Sequence, residues 1–217
     1  SVLCLSDRLG KRALYVSSGA NKLLNQRDIS LAYLDQAKIV HLTSFADDEQ
    51  FNLQLDLIKK LANSVKVSFA PGMLYCIKGL DALAPLLERT HILFANKEEI
   101  ERLTGMDFTV GARECSNRGC RIVVVTLGEG LALESEVPFT TYIYDGSKEY
   151  KIKSKERELE FIEATGAGDA FAAGFLFGFL NGENLDDCGL LGDLAARFAI
   201  GKTGAREGLP SLAQLQM

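Results

Sequence analysis

The chain has 217 residues, 47% hydrophobic and 24% charged, with a formal net charge of −5, the profile of about one soluble globular domain with enough apolar surface for a sizeable core. An acidic balance with no local Lys/Arg cluster excludes a surface made to neutralise a phosphate backbone, so nucleic acid is not expected as a partner. The longest apolar run, Phe171 to Leu180, reaches about half of the roughly 18–20 residues that a membrane span needs, and no membrane association is expected.

In chain order, "SVLCLSDRLGKRALYV" (1–16) reads as a hairpin and lacks the basic region and apolar run of a signal peptide, so Ser1 looks like the interior of a longer sequence. "AKIVHL" (37–42) predicts a first core strand, followed by a helix over 47–63 with Phe51, Leu55, Ile58 and Leu61 at helical spacing. "VKVSFAPG" (65–72) predicts a second strand, stopped by Pro71 and Gly72, and a helix near 79–88 leads to a third, "THILFA" (90–95). Asn96 stands where that strand ends and "KEEIERLTG" begins a helix, which makes it an N-cap candidate. "CRIVVVTLG" (120–128) has the continuous apolar run of a strand buried on both faces. From 134 to 161 the pattern alternates and carries charge, predicting antiparallel strands with a turn near Asp145-Gly146, and two helices follow at about 168–181 and 186–203. Strands alternating with helices imply an α/β architecture with a mainly parallel sheet.

In such sheets ligands sit beyond the carboxyl ends of the strands, and those ends carry Asn96, Thr126, Gly128 and "TGAGD" (165–169). Taken singly, these residues are a helix cap, a strand residue and turn glycines; their coincidence on one rim is what points to a site. Gly166 and Gly168 allow backbone N–H groups to face an anion at a helix start, a cradle suited to phosphate. Asp169 cannot bind that anion, because like charges repel; a hydroxyl that loses its proton as it attacks the phosphate is its natural partner. Competing glycine motifs fail on spacing. A dinucleotide fingerprint would need glycine where Phe171 stands, and a phosphate loop ending at "GKT" (201–203) would need glycine where Ala196 stands. "GFLFG" (174–178) reads as a close helix contact. The five cysteines, Cys4, Cys76, Cys115, Cys120 and Cys188, contain no CxxC pair and no histidine at zinc-ligand spacing. They read as reduced, buried thiols of a cytoplasmic protein.

"TGAGDAFAAGF" (165–175) resembles the second signature of the ribokinase-like, or phosphofructokinase-B, family of carbohydrate and nucleoside kinases. In the family's order, "GANKLL" (19–24) resembles the segment after its lid, "NKEE" (96–99) its NxxE motif, "VVVTLGEG" (123–130) its nucleotide-binding strand and turn, and "GAREGLP" (204–210) its C-terminal signature. The resemblance implies a three-layer α/β/α sandwich, with residues 1–20 as part of a β lid and 21–217 as a kinase core lacking the family's N-terminal strands. It implies transfer of the γ-phosphoryl group of ATP to a hydroxyl of a sugar, sugar phosphate or nucleoside. Asp169 would be the catalytic base, and Gly166, Ala167 and Gly168 the anion hole. Thr126 and Gly128 would lie against the nucleotide, with Asn96 and Glu99 organising Mg²⁺ and phosphates directly or through water. A lid of this family also pairs with a partner's lid in many members, so a homodimer through Leu3, Leu5, Leu14 and Val16 is an expectation. Glu163-Ala164 stands where the signature opens with Asp-Thr, which leaves the monovalent cation of many members undecided, and Thr43 and Ser44 stand where ribokinases place a substrate-contacting glutamate. The rival reading is a non-catalytic, family-derived ligand-binding module; Asp169 argues against it, since mere binding has no use for a proton acceptor there.

Overall fold

A computed structural model of the chain describes residues 2–6, 12–131, 138–153 and 162–215. The predicted hairpin is present: β1 (Val2–Ser6) pairs antiparallel with β2 (Arg12–Val16), Val2 opposite Val16. Its turn and the side chains of Leu3, Leu5 and Leu14 lie outside the described residues, while Val16 is exposed. Two 3₁₀ turns, Gly19–Leu23 and Gln26–Asp28, and the short helix α1 (Leu31–Leu34) lead into the core.

The core alternates as the sequence pattern requires: β3 (Ile39–Thr43), α2 (Asp48–Lys60), β4 (Lys66–Ala70), α3 (Gly72–Cys76), α4 (Leu80–Arg89), β5 (Ile92–Asn96), α5 (Lys97–Thr104), α6 (Phe108–Asn117) and β6 (Ile122–Leu131). Then come the antiparallel pair β7 (Phe139–Tyr144) and β8 (Glu149–Ile152), and the helices α7 (Ala167–Leu180), α8 (Leu185–Ile200) and α9 (Leu212–Leu215). The sheet order is β3-β4-β5-β6-β7-β8; the first four strands run parallel and the last two antiparallel. The turn between β7 and β8 falls at the expected Asp145-Gly146. There Gly146 adopts φ 90° and the Asp145 carboxylate accepts the backbone N–H groups of Ser147 (2.9 Å) and Lys148 (2.7 Å).

Period-two alternation sorts the sheet residues between two helical layers. Val67, Phe69, Leu93, Val123 and Val125 face α2 to α6, whereas Ile92, Phe94, Val124 and Ile143 face α7 and α8. Val123, Val124 and Val125 are fully buried because β6 has a strand on each side and helices over both faces; each such side chain stabilises the fold by about 1.5–3 kcal/mol. The "GFLFG" spacing acts as a close helix contact. A Cβ on Gly174 would lie 2.5 Å from the Leu191 carbonyl oxygen, and one on Gly178 would lie 2.8 Å from Leu191 Cδ1. α7 and α8 therefore pack as a nearly backbone-to-backbone pair, which holds the first turn of α7 in place. Cys76, Cys115, Cys120 and Cys188 are buried free thiols, and burial pushes Cys115 up to about 12 and Cys188 to about 11, so both stay protonated and unreactive at neutral pH.

Candidate active site

Two chain segments bring the predicted residues to the carboxyl edge of the sheet. β5 and β6 run parallel with Asn96 opposite Thr126, so the two polar residues end adjacent strands side by side. α7 runs back over β5: Phe171 in its first turns meets Phe94 (ring centroids 6.4 Å), and Phe179 in its last turn meets His91 (5.6 Å). The N-terminus of α7 thus opens at the strand ends, with Asp169 exposed in its first turn.

The two helix starts on this edge differ in how they satisfy their N–H groups. At α5, Asn96 Oδ1 accepts the Glu99 N–H (2.9 Å) and Glu99 Oε2 accepts the Asn96 N–H (2.9 Å), a reciprocal capping box. Burial raises the Glu99 carboxyl above its usual range; the Asn96 N–H bond pulls it back, and nearby Glu98 adds to the rise. Its Oε1 atom is the oxygen outside the box. At α7 the N-cap is Gly166, in the left-handed region at φ 82°, with no side-chain cap. Gly166 cannot be replaced without strain, since a Cβ would sit 2.7 Å from the Ala205 carbonyl oxygen. Gly168 is different, because a Cβ there would meet no protein atom within 4 Å. Nothing in the fold requires a glycine at 168, although glycine within a helix costs roughly 0.5–1 kcal/mol relative to alanine.

Thr126, Gly128, Ala167 and Gly168 line one cavity of about 250 Å³ together with Thr140 and Asp193. Asn96 adjoins it through its register with Thr126, while Asp169 and Glu99 are not among the residues that line it. The cavity's wall contains residues that periodicity did not single out. Thr140 donates its hydroxyl proton to Asp193 Oδ1 (2.8 Å), and Arg197, one turn later on α8, lies 4.0 Å from Asp193 Oδ2. The Asp193/Arg197 spacing of four in an apolar helix was the available signal. His41 lies outside this cavity and lines another, with Thr43 and Phe45. It stands on β3 with its ring steeply inclined to that of Phe94 (centroids 6.1 Å apart, 68°) and Nδ1 2.9 Å from Ser68 Oγ. Partial desolvation lowers its pKa, and the negative Asp169 carboxylate opposes that shift.

The fold has parallels among solved structures. The crystal structure of a ribokinase from Thermotoga maritima superposes with a TM-score of 0.80 over 99% of this chain and 67% of its own, at 19% identity. That of a nucleoside kinase from Methanocaldococcus jannaschii gives 0.76 over 99% and 66%, at 25% identity. In sequence, an uncharacterized sugar kinase of Archaeoglobus fulgidus is 36% identical over 208 residues, covering 94% of this chain and 77% of the relative. A cytidine kinase of Thermococcus kodakarensis is 34% identical over 192 residues, and the chain spans 64% of its length. The pattern of the pfkB family carbohydrate kinases matches residues 1–212. With that match running through every element of the edge just described, the chain belongs to the PfkB family of carbohydrate kinases.

Proposed function

We propose that the protein is an ATP-dependent kinase that phosphorylates a hydroxyl of a sugar, sugar phosphate or nucleoside, and that the N-terminus of α7 is where the phosphoryl group is held. The observation that carries this reading is Gly168. It is an exposed helix glycine that the fold does not need, and a side chain there would occupy the space in front of the Ala167 and Gly168 amides where an anion would sit.

In this reading the acceptor's hydroxyl oxygen forms a bond to the γ-phosphorus as the bond from phosphorus to the ADP oxygen breaks, and the hydroxyl proton passes to the Asp169 carboxylate. The amides of Gly166, Ala167 and Gly168 stabilise the charge on the transferred group. Thr126 and Gly128 line the nucleotide's side of the cavity. Mg²⁺ takes few protein carboxylates and keeps water and phosphate ligands, a demand that Glu99 Oε1 with Asn96 beside it can meet; when bound, it neutralises phosphate charge. The hairpin of residues 1–20 is the lid of the acceptor site, and its exposed Val16 face is where a second copy would pair.

A cytidine kinase and a sugar kinase among the relatives bracket the acceptor classes to try. ADP release is measured with MgATP and a panel of nucleosides, sugars and sugar phosphates. One class is expected to raise the rate at least about tenfold above the acceptor-free background. No acceptor doing so, with ATP bound, would leave the binding-module reading in its place.

A further inference from the structure

The turn that enters α7 does not stand alone. The N–H groups of Ile162 and Glu163 both donate to the Ile200 carbonyl oxygen (2.9 and 3.2 Å), which lays residues 162–163 along the end of α8. Glu163, half-buried, then reaches across to the loop that follows α8. Its Oε2 accepts the Gly204 N–H (2.9 Å), and its Oε1 accepts the Thr165 hydroxyl of its own turn. One residue beyond Gly204, Ala205 presses against Gly166, with the position of a Gly166 Cβ 2.7 Å from the Ala205 oxygen and 2.9 Å from its Cα. The back wall of the anion cradle is therefore the loop 201–205, and the carboxylate of Glu163 is the side-chain link between that loop and the turn.

We infer that Glu163 is a positioning residue for phosphoryl transfer: by clamping Gly204 to the 162–166 turn it seats Ala205 against Gly166 and fixes the direction of the amides that follow. The inference rests on the function proposed above. It concerns length and acceptor geometry rather than charge. Aspartate keeps the charge but is one methylene shorter, so from this backbone it falls short of Gly204. Glutamine loses the charge but keeps an oxygen at the right reach, and the Thr165 hydroxyl can turn to accept from its amide. A misplacement on the order of 1 Å at a phosphoryl-transfer site can cost about 10²-fold in rate.

The test compares wild type, Glu163→Asp and Glu163→Gln for kcat, acceptor KM, thermal midpoint and affinity for inorganic tripolyphosphate without magnesium. The expected result is that Glu163→Asp loses about 10- to 100-fold in kcat and about tenfold in tripolyphosphate affinity, with acceptor KM within about twofold because the acceptor does not touch the clamp. Glu163→Gln is expected to keep most of both. Two outcomes overturn the inference: Glu163→Asp matching wild type in kcat and tripolyphosphate affinity, or Glu163→Asp performing better than Glu163→Gln, which would make charge the operative property. Thermal midpoints near wild type for both variants remove unfolding as the cause of any loss. A wild-type protein that turns over no acceptor but whose tripolyphosphate affinity still follows the order wild type, Gln, Asp would count against the kinase reading while supporting the clamp.

Discussion

α5 and α7 both begin at the carboxyl edge of the sheet, yet one closes its N-terminus with side chains and the other does not. α5 closes by its own side chains, Asn96 and Glu99 each accepting a backbone N–H of the other. α7 enters through a left-handed glycine with no side-chain cap and small residues in front of it. An N-terminus carries a partial positive charge and unsatisfied N–H groups. At α5 local side chains meet that demand and stabilise the fold, whereas at α7 no side chain does: the Ala167 N–H turns back to the Ala164 carbonyl oxygen (3.3 Å), and in the proposed reading the amides of this turn serve an anion. The contrast is the reason α7 rather than α5 is the start we propose for the phosphoryl group.

The largest effect expected from this contrast is at Asp169. Asp169→Asn removes the proton acceptor without touching the glycine turn, so kcat should fall at least about 100-fold while ATP affinity changes little. Retention of more than a tenth of the wild-type kcat would remove Asp169 from the role of base. Next come the two glycines, which should separate fold from function. Gly166→Ala forces a side chain into φ 82° and against Ala205, and should cost roughly 1–3 kcal/mol in urea unfolding. Gly168→Ala should leave stability unchanged or raise it by up to about 1 kcal/mol, yet weaken tripolyphosphate binding about tenfold, a difference of about 1.4 kcal/mol. If Gly168→Ala binds as wild type does, the cradle lies elsewhere. On the closed helix, Asn96→Ala should cost about 1 kcal/mol of stability through the lost cap, measured by the same unfolding; an unchanged midpoint would mean that the box contributes nothing.

The smallest effect is a pH dependence far from either helix start. Burial alone would raise the Asp145 carboxyl, but the Lys148 and Ser147 N–H bonds and the Tyr150 and Ser147 hydroxyls hold it down at about 2. A depressed carboxylate contributes stability that is present above its unfolded value, about 3.9, and is lost as pH falls through about 2. Asp145→Asn should therefore lower the thermal midpoint slightly at pH 6 and make little difference near pH 2. An equal deficit at both pH values would assign the loss to geometry rather than to charge.

Much of this was legible in the sequence, for reasons that differ by element. The Val123–Val125 run could be read as a central strand because burial on both faces leaves no polar position in the pattern. The start of α7 was readable because a left-handed entry leaves a glycine. α6 was not foreseen. Thr109, Val110 and Gly111 are poor helix formers, and the helix is held by tertiary contact, a Gly111 Cβ position lying 2.6 Å from Thr104 Oγ1 and 2.7 Å from Ile100 Cγ2 on α5. The candidate site was legible where its groups are local, as in Gly166 to Asp169. It was opaque where partners are distant in the chain, as with Thr140 and Asp193, 53 residues apart, or Glu163 and Gly204, 41 apart. Periodicity reports which face a residue occupies, not which loop folds back to meet it.

The contrast between the two helix starts is tested most directly by following backbone amide resonances while tripolyphosphate is added without magnesium. The amides of Gly166, Ala167 and Gly168 should shift and saturate together, while those of Lys97, Glu98 and Glu99 stay in place. Saturable shifts at α5 with none at α7 would contradict the account.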